Sequence, residues 1–294
     1  MRAKQLSYLD NKADPPLKWA GGKSWLVPRL RELWQGHEKR RLVVPFCGGL
    51  GDVLGLWPHR ALMNDVNPHL VNFYRWWAAG QVSVNGPVNF THEESIYYQN
   101  RDRFNELTFA KAEDSLEAAT LFYYLNRTGF NGLCRFNRLG GFNAPYGRRE
   151  KKGAKPLPPL DYGYWLNGYK LPTGWSFTCG DFTQMQVLRY STPLAPADLI
   201  YADPPYDGTF VGYSKGGFSW VNQIALVDWL SLHQGPIIAS NAATPRIIKL
   251  YKAHGFHVEL VDGPRSIACN GDRAKVKEML ATKNVKGKPC KAKF

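Results

Sequence analysis

Residues 42–56, LVVPFCGGLGDVLGL, constrain the fold more than any other stretch of the chain. Leu42, Val43 and Val44 are apolar without alternation, the pattern of a strand buried on both faces of a parallel sheet. Gly48, Gly49 and Gly51 make a glycine-rich turn into further apolar sequence. Strand, glycine turn and helix in that order bring backbone close to a nucleotide-like ligand in doubly wound α/β folds. Further on, ALMNDVNPHL offers a second short strand ending at Asp65, where a carboxylate can hydrogen-bond a ribose diol. Either piece alone is compatible with an ordinary strand end; the pair in this order favours a nucleotide-like ligand. GxGxxG is missing, which disfavours a nicotinamide cofactor.

The α/β alternation resumes late in the chain. Ser176–Cys179 is a candidate strand running into Gly180-Asp181-Phe182, and Leu199–Ala202 is the next. A helix over 224–232 leads through Gly235-Pro236 to a strand at 237–240. Thr244-Pro245 fits the cap and first turn of a helix that Gly255 ends, and strands near HVELV and KVKEML follow. The strand at 199–202 delivers Asp203 into Pro204-Pro205, with Tyr206 beyond. Proline fixes φ, lacks an N–H and pushes the preceding residue out of helix. The carbonyls of Asp203 and Pro204 therefore stay available as acceptors. Carboxylate, carbonyl and ring together suit a planar ligand carrying an amino group; a stiff turn that merely ends a strand fits the tetrapeptide equally well.

Between these two α/β parts, from residue 68 to 175, the pattern changes. The segments 69–80 and 97–107 have helical character. Asp114 and Glu117 have capping-box spacing ahead of a helix that should stop near Gly129. Beyond it, residues 125–149 carry Arg127, Arg135, Arg138, Arg148 and Arg149, with Asn126, Asn131, Asn137, Asn143 and several aromatic rings between them. Arginine reads guanine edges, asparagine reads adenine, and exposed rings wedge or stack. Residues 150–175, rich in proline, read as an irregular return loop. The net charge of +14 favours a polyanionic partner, nucleic acid before an acidic membrane surface. The expected architecture is thus an α/β domain over 1–67 and 176–294, interrupted by a DNA- or RNA-reading domain over 68–175. Near the start, PLKWAGGK sets Lys18, Trp19, Gly21-Gly22 and Lys23 ahead of a helix. Its glycines suit close approach to an anionic group or a plain loop, and the P-loop spacing is absent.

Other classes are excluded more simply. Five scattered cysteines without a CxxC argue against a disulfide framework or zinc site and for a reducing cytoplasm. His254 and His257 flank a helix-ending glycine and read as a surface pair rather than metal ligands. No apolar run is long enough to span a bilayer, and the N-terminal residues lack an apolar h-region. The expectation is a cytoplasmic protein without a membrane, metal or obligate protein partner.

Seven stretches in order, KWAGGK, PFCGGLG, NDVNPHL, LNRTGFNGLCRFN, FNAPYG, DLIYADPPY and RSIACNG, resemble the DNA adenine methyltransferase (Dam) family over Leu17 to Gly271. The resemblance implies a Rossmann-like methyltransferase fold with a mostly helical inserted target-recognition domain. It implies methyl transfer from S-adenosylmethionine to the 6-amino group of a flipped adenine in double-stranded DNA, without a metal. By this resemblance Trp19, Lys23, Phe46, Gly48, Asp65, Asp181, Phe182 and Asp203 contact the donor. Asp203 and the Pro204 carbonyl bind the target amine within the catalytic Asp203-Pro204-Pro205-Tyr206 turn, and Tyr206 stacks on the base. Lys18, Phe130, Asn131, Leu133 and Arg135 align with DNA contacts, alongside Arg127 and Asn137 of the basic stretch. The likeness of the reading loop to GATC-specific members makes GATC the expected target. Two positions depart from the family pattern: Leu50 stands where a second glycine is common, and Phe130 where tyrosine is often the wedge. An amino-methyltransferase acting on RNA adenine, cytosine or protein glutamine, and a DNA-binding protein with a decayed site, are the competing readings. A solitary regulator, a restriction–modification partner and a phage protective enzyme would all share these motifs.

Overall fold

Strand β1 (Leu42–Val44), buried at every position, pairs with β2 (Arg60–Asp65) on one side and β4 (Leu199–Ala202) on the other. The computed structural model describes residues 15–148, 166, 170–186, 197–207, 217–263 and 276–285. Within them β3 (Gly174–Cys179), β5 (Ile237–Ala242), β6 (His257–Gly263) and β7 (Val276–Lys283) complete a seven-stranded sheet of order β3-β2-β1-β4-β5-β7-β6. The first five strands pair in parallel, and β7 runs antiparallel to both its neighbours. The expected α/β class is observed. The order in which strands are added reverses between β1 and β4, which opens a crevice at the carboxyl ends of those strands.

Two apolar layers cover the sheet, and the period-2 alternation of the strands sorts residues between them. Leu42, Val44, Met63 and Tyr201 face one layer; Val43, Leu62, Ile200 and Ala202 face the other. The first layer contains α1 (Val27–Trp34), α2 (Gly51–Leu56) and α3 (Pro68–Ala78), together with α4 (Glu94–Phe109) and α5 (Leu116–Thr128). The second contains α6 (Trp220–Ser231) and α7 (Pro245–Ala253). The helices between β2 and β3 therefore share a buried core with the sheet. Arg75 of α3 donates to the Phe177 carbonyl of β3, and Tyr74 stacks on Phe177 at 5.3 Å.

Several boundaries differ from the sequence expectation. Ser115, not Asp114, caps α5, because its hydroxyl reaches the Ala118 N–H. α6 begins at Trp220, ahead of Ile224, where Ser219 and Asn222 cap it reciprocally. β3 begins at Gly174, so the strand crosses the boundary expected after residue 175. Most of the expected return loop, Arg149, the RSIACNG stretch and the basic tail from residue 286 lie outside the described residues. No helix among the described residues is long and apolar enough to cross a membrane.

Candidate active site

The carboxyl ends of β1, β2, β3 and β4 meet at a cavity of about 750 Å³. Every residue that the sequence pointed toward the donor or the target amine lines it: Trp19, Lys23, Phe46, Gly48, Asp65, Asp181, Phe182 and Asp203 to Tyr206. These residues are far apart in the chain, and parallel register brings them to one edge.

The glycine turn after β1 forms the floor. Gly48 has φ of 42°, and a Cβ there would lie 2.9 Å from the Trp19 Nε1. A Cβ on Gly49 would meet the Trp19 Cβ at 2.7 Å. The two glycines thus admit the indole, so the early KWAGGK and the PFCGGLG turn form one unit. Leu50 follows with φ of 59° and ψ of 15°, in the left-handed region before α2, with its side chain buried. Glycine enters this region freely, which accounts for the family's preference there. Asp65 closes the turn from β2: one carboxylate oxygen accepts the Gly48 N–H and the other the Asn67 N–H, both at 3.0 Å. Burial raises its pKa, and these backbone donors oppose the rise. Asn64 donates to the carbonyls of Pro45 and Gly180, tying the ends of β1 and β3 together. Phe46, Phe182 and Phe218 make an aromatic wall, with Phe46 5.5 Å from Phe182 and 5.6 Å from Phe218. Asp181 is exposed at its edge, and its carboxylate holds Thr183.

Asp203 occupies the opposite side. Its Oδ1 accepts the Ser240 hydroxyl at 2.6 Å, and its Oδ2 lies 3.2 Å from the Lys23 ammonium. Burial raises the pKa of this carboxyl, while Lys23 and Ser240 work against that rise. Lys23 also donates to the Gly21 carbonyl at 2.7 Å and sits 4.4 Å from the Tyr206 ring centre. Tyr206 donates its hydroxyl to Glu278 at 2.5 Å, and burial beside Asp203 and Glu278 raises its pKa. The Pro205 carbonyl accepts from Gln223, whose own amide oxygen accepts from Asn241. Among the described residues none donates to the Pro204 carbonyl. Beyond the turn, Asp207 is held by Arg246 and Thr244. The dipeptide Pro204-Pro205 is therefore anchored at both ends, and Asp203 is aimed by two side chains from other elements, Lys23 and Ser240.

Asp52, which the sequence reading passed over, also lines the cavity. It lies in the first turn of α2 and is 5% exposed. Burial, then the charge of Asp203, pushes its carboxyl up to about 7. Five carboxylates (Asp52, Asp65, Asp181, Asp203 and Glu278) face a single ammonium, Lys23, among the described lining residues. An acidic cavity inside a chain of net charge +14 selects a ligand with cationic groups.

Of the residues expected on nucleic acid, Arg127 lies in the last turn of α5, and Phe130, Asn131, Leu133, Arg135 and Asn137 lie on the arm that follows α5. Bridges between Gly129 and Tyr146 and between Phe136 and Phe142 close it, and Tyr97 and Asn105 of α4 bond to its backbone. Phe130 stands 48% exposed on this arm, with Asn131 and Arg135 also exposed and Leu133 half-buried. Arg135 donates through Nε and Nη2 to the side-chain and backbone oxygens of Asn143, each at 2.9 Å. The arm meets Lys18, the neighbour of the cavity-lining Trp19: the Lys18 side chain packs over Gly132, and its ammonium donates to the Arg127 carbonyl at 3.0 Å. Three residues of the basic stretch also make contacts within the fold. Asn126 is wholly buried and pairs with the Lys18 backbone in both directions at 2.8 Å. Asn137 folds the tip of the arm by accepting the N–H groups of Leu139 and Gly141. Arg127 is half-buried, with Nη1 on the Pro16 carbonyl. Short polar side chains favour such local bonds, so composition alone cannot sort readers from braces.

Sequence reasoning missed Asp52, Ser240, Gln223, Asn241 and Glu278. Each is a polar residue inside a largely apolar helix or strand, where a polar side chain can signal a partner. The register supplies the partner: Ala202 pairs with Ala239, which sets Asp203 beside Ser240, and Ala242 pairs with Glu278.

A family model described as D12 class N6 adenine-specific DNA methyltransferase matches residues 19–267. The chain is 32% identical over 282 residues to the retron Ec67 DNA adenine methylase of Escherichia coli, covering 93% of this chain and 92% of that one. It is 32% identical over 288 residues to a DNA adenine methylase of Vibrio cholerae serotype O1, with 90% and 94% covered. It is also 32% identical to the DNA N-6-adenine-methyltransferase of Escherichia phage P1, over 87% of this chain and 33% of that one.

Proposed function

The chain belongs to the D12 class N6 adenine-specific DNA methyltransferases, and on that premise we propose how its residues divide the reaction. It is a DNA adenine methyltransferase, so the readings as an RNA, cytosine or glutamine enzyme, or as a decayed binder, give way. S-adenosylmethionine is the methyl donor, and the target is the 6-amino group of an adenine extruded from duplex DNA, within GATC. The observation that carries this reading is the acceptor set of Asp203, the Pro204 carbonyl and Tyr206 in the same cavity as the glycine turn and Asp65. The acid-rich lining and the aromatic wall support an adenosine that bears cationic groups.

The donor's sulfonium supplies an already activated methyl group, which leaves the protein to align and to stabilise. Asp65 accepts from the ribose hydroxyls, and Phe46 and Phe182 together present one apolar wall to the donor's adenine. Trp19, stacked into Gly48-Gly49, shapes the floor. An adenine amine is a poor nucleophile because its lone pair is delocalised into the ring. Hydrogen bonds from its two protons to Asp203 and the Pro204 carbonyl favour a pyramidal nitrogen and stabilise the charge that develops on it. Lys23 and Ser240 keep Asp203 ionised and oriented. A carboxylate has about four acceptor positions, so Asp203 retains capacity for the amine beside these two partners. Tyr206, fixed by Glu278, stacks on the base and offsets part of the few kcal/mol of extrusion. The arm over 129–148, braced by α4, reads DNA through Phe130, Asn131, Leu133 and Arg135, together with Lys18. Residues 68–175 serve as the recognition part, and 1–67 with 176–294 as the catalytic part. Such an enzyme works in the cytoplasm of a bacterium or a phage-infected cell.

The test is to incubate the protein with labelled S-adenosylmethionine and unmethylated DNA and to map modified adenines by sequencing. Methyladenine within GATC is expected, and none on any substrate would overturn the reading. Asp203→Ala should nearly abolish transfer while DNA still binds; substantial residual turnover would remove Asp203 from its role.

A further inference from the structure

Asp52 combines three properties that an idle residue rarely has. It is 5% exposed, it faces the cavity, and its carboxylate has one oxygen committed locally, Oδ1 to the Val53 N–H at 2.7 Å. Among the described residues only backbone N–H groups, those of Val53 and of Asp52 itself, bond to the carboxylate, and no side chain does. The ammonium of Lys23 is already taken up by Asp203, the Gly21 carbonyl and the Tyr206 face.

An acidic residue in a first helical turn gains about 0.3–1 kcal/mol from the helix end. Burying a carboxylate costs several kcal/mol unless a cation or a set of donors meets it. Helix capping is therefore too small a reason for an acid to stand here. A shorter or apolar residue would serve α2 better unless a positive ligand group arrives at the carboxylate. Burial and the charge of Asp203 push the carboxyl up to about 7, so a cationic group beside it would favour its ionised form.

The position of Asp52 decides which charge that is. It follows directly on the glycine turn, whose other end is held by Asp65, and it feels the charge of Asp203 across the cavity. It thus brings a second carboxylate to the cavity, at the other end of the glycine turn from the one assigned to the ribose. We propose that Asp52 binds the α-ammonium of the methyl donor's amino-acid tail. This rests on the donor reading above and adds a residue to it. The arrangement also separates labour between the acids: Asp65 serves the ribose, Asp52 the tail and Asp203 the target amine.

Calorimetry on the full chain tests this with two non-reacting probes. S-adenosylhomocysteine carries the α-ammonium, and 5′-methylthioadenosine keeps the adenosine and thioether but lacks the tail. Asp52→Asn keeps the shape and removes the charge. It should weaken S-adenosylhomocysteine by about 10- to 150-fold, the range of a hydrogen bond to a charged group. It should leave 5′-methylthioadenosine within about twofold, which also reports a folded cavity. Equal weakening of both probes, or unchanged binding of S-adenosylhomocysteine, would overturn the assignment while leaving the donor reading intact. Wild-type protein that binds neither probe would overturn the donor reading itself, and this inference with it.

Discussion

Removing the Ser240 hydroxyl should move the acid limb of methyl transfer to higher pH. Its Oγ lies 2.6 Å from the Asp203 Oδ1, and together with Lys23 it opposes the rise that burial imposes on that carboxyl. A hydrogen bond to a charged group contributes about 1.5–3 kcal/mol, which at about 1.4 kcal/mol per pKa unit is roughly one to two units. The sign follows from the role of the group. Asp203 accepts only when ionised, so transfer falls as pH drops through its folded pKa, and a higher pKa brings that fall on earlier. One competing effect works the other way. The Tyr201 hydroxyl lies 3.3 Å from the Ser240 Oγ, and rotation into the vacated space would restore part of the bond. The assay is single-turnover transfer on a duplex with one target adenine, from about pH 5 to about pH 9, so that product release does not mask chemistry. Ser240→Ala should shift the midpoint up by about one to two units and keep the alkaline plateau within about threefold, because Lys23 still holds the carboxylate. An unmoved midpoint would refute the argument. A uniform fall at every pH would assign Ser240 to packing.

Leu50→Gly removes a left-handed non-glycine residue that costs about 1–2 kcal/mol, but it also removes a buried leucine worth about 2–5 kcal/mol. Denaturant unfolding should show a net loss of roughly 1–3 kcal/mol, and a stabilised variant would mean that the side chain contributes little to this core. Asp52→Asn should stabilise the ligand-free protein at alkaline pH. The native carboxyl, near 7 against 3.8 in the unfolded chain, holds its proton longer when folded, so wild-type stability falls as pH rises through that window. Thermal melts of the two proteins should diverge with rising pH in the variant's favour, and parallel curves would contradict it. Arg135→Ala should reduce the kcat/KM ratio between the target and a site altered by one base by about 5- to 150-fold, from about 1–3 kcal/mol for a bidentate base contact. An unchanged ratio would assign the guanidinium to phosphate, or to its bond with Asn143 alone.

Local chemistry explains how much of the molecule could be read beforehand. Leu42–Val44 is legible as a central strand because nothing in it could face water. The turn from Gly48 to Gly51 and the Asp203–Tyr206 turn are legible because proline and glycine restrict or free the backbone within a few residues. These stretches determined by themselves an α/β chain with a ligand edge and a basic, aromatic middle. Tertiary structure alone decided which polar residues serve the site. Ser240, Gln223, Asn241 and Glu278 acquire their roles from strand register and helix placement, which depend on pairing across distant segments. Asp52 gains its meaning from depth, since an acid in the first turn of a surface helix is ordinary and a buried one is costly. The same logic separates the asparagines of the basic stretch. Asn126 is wholly buried against the Lys18 backbone and Asn137 folds a turn, whereas Asn131 stands exposed. An amide states its capacity to bond in the sequence, and only the fold determines whether water, a neighbour or a ligand meets it.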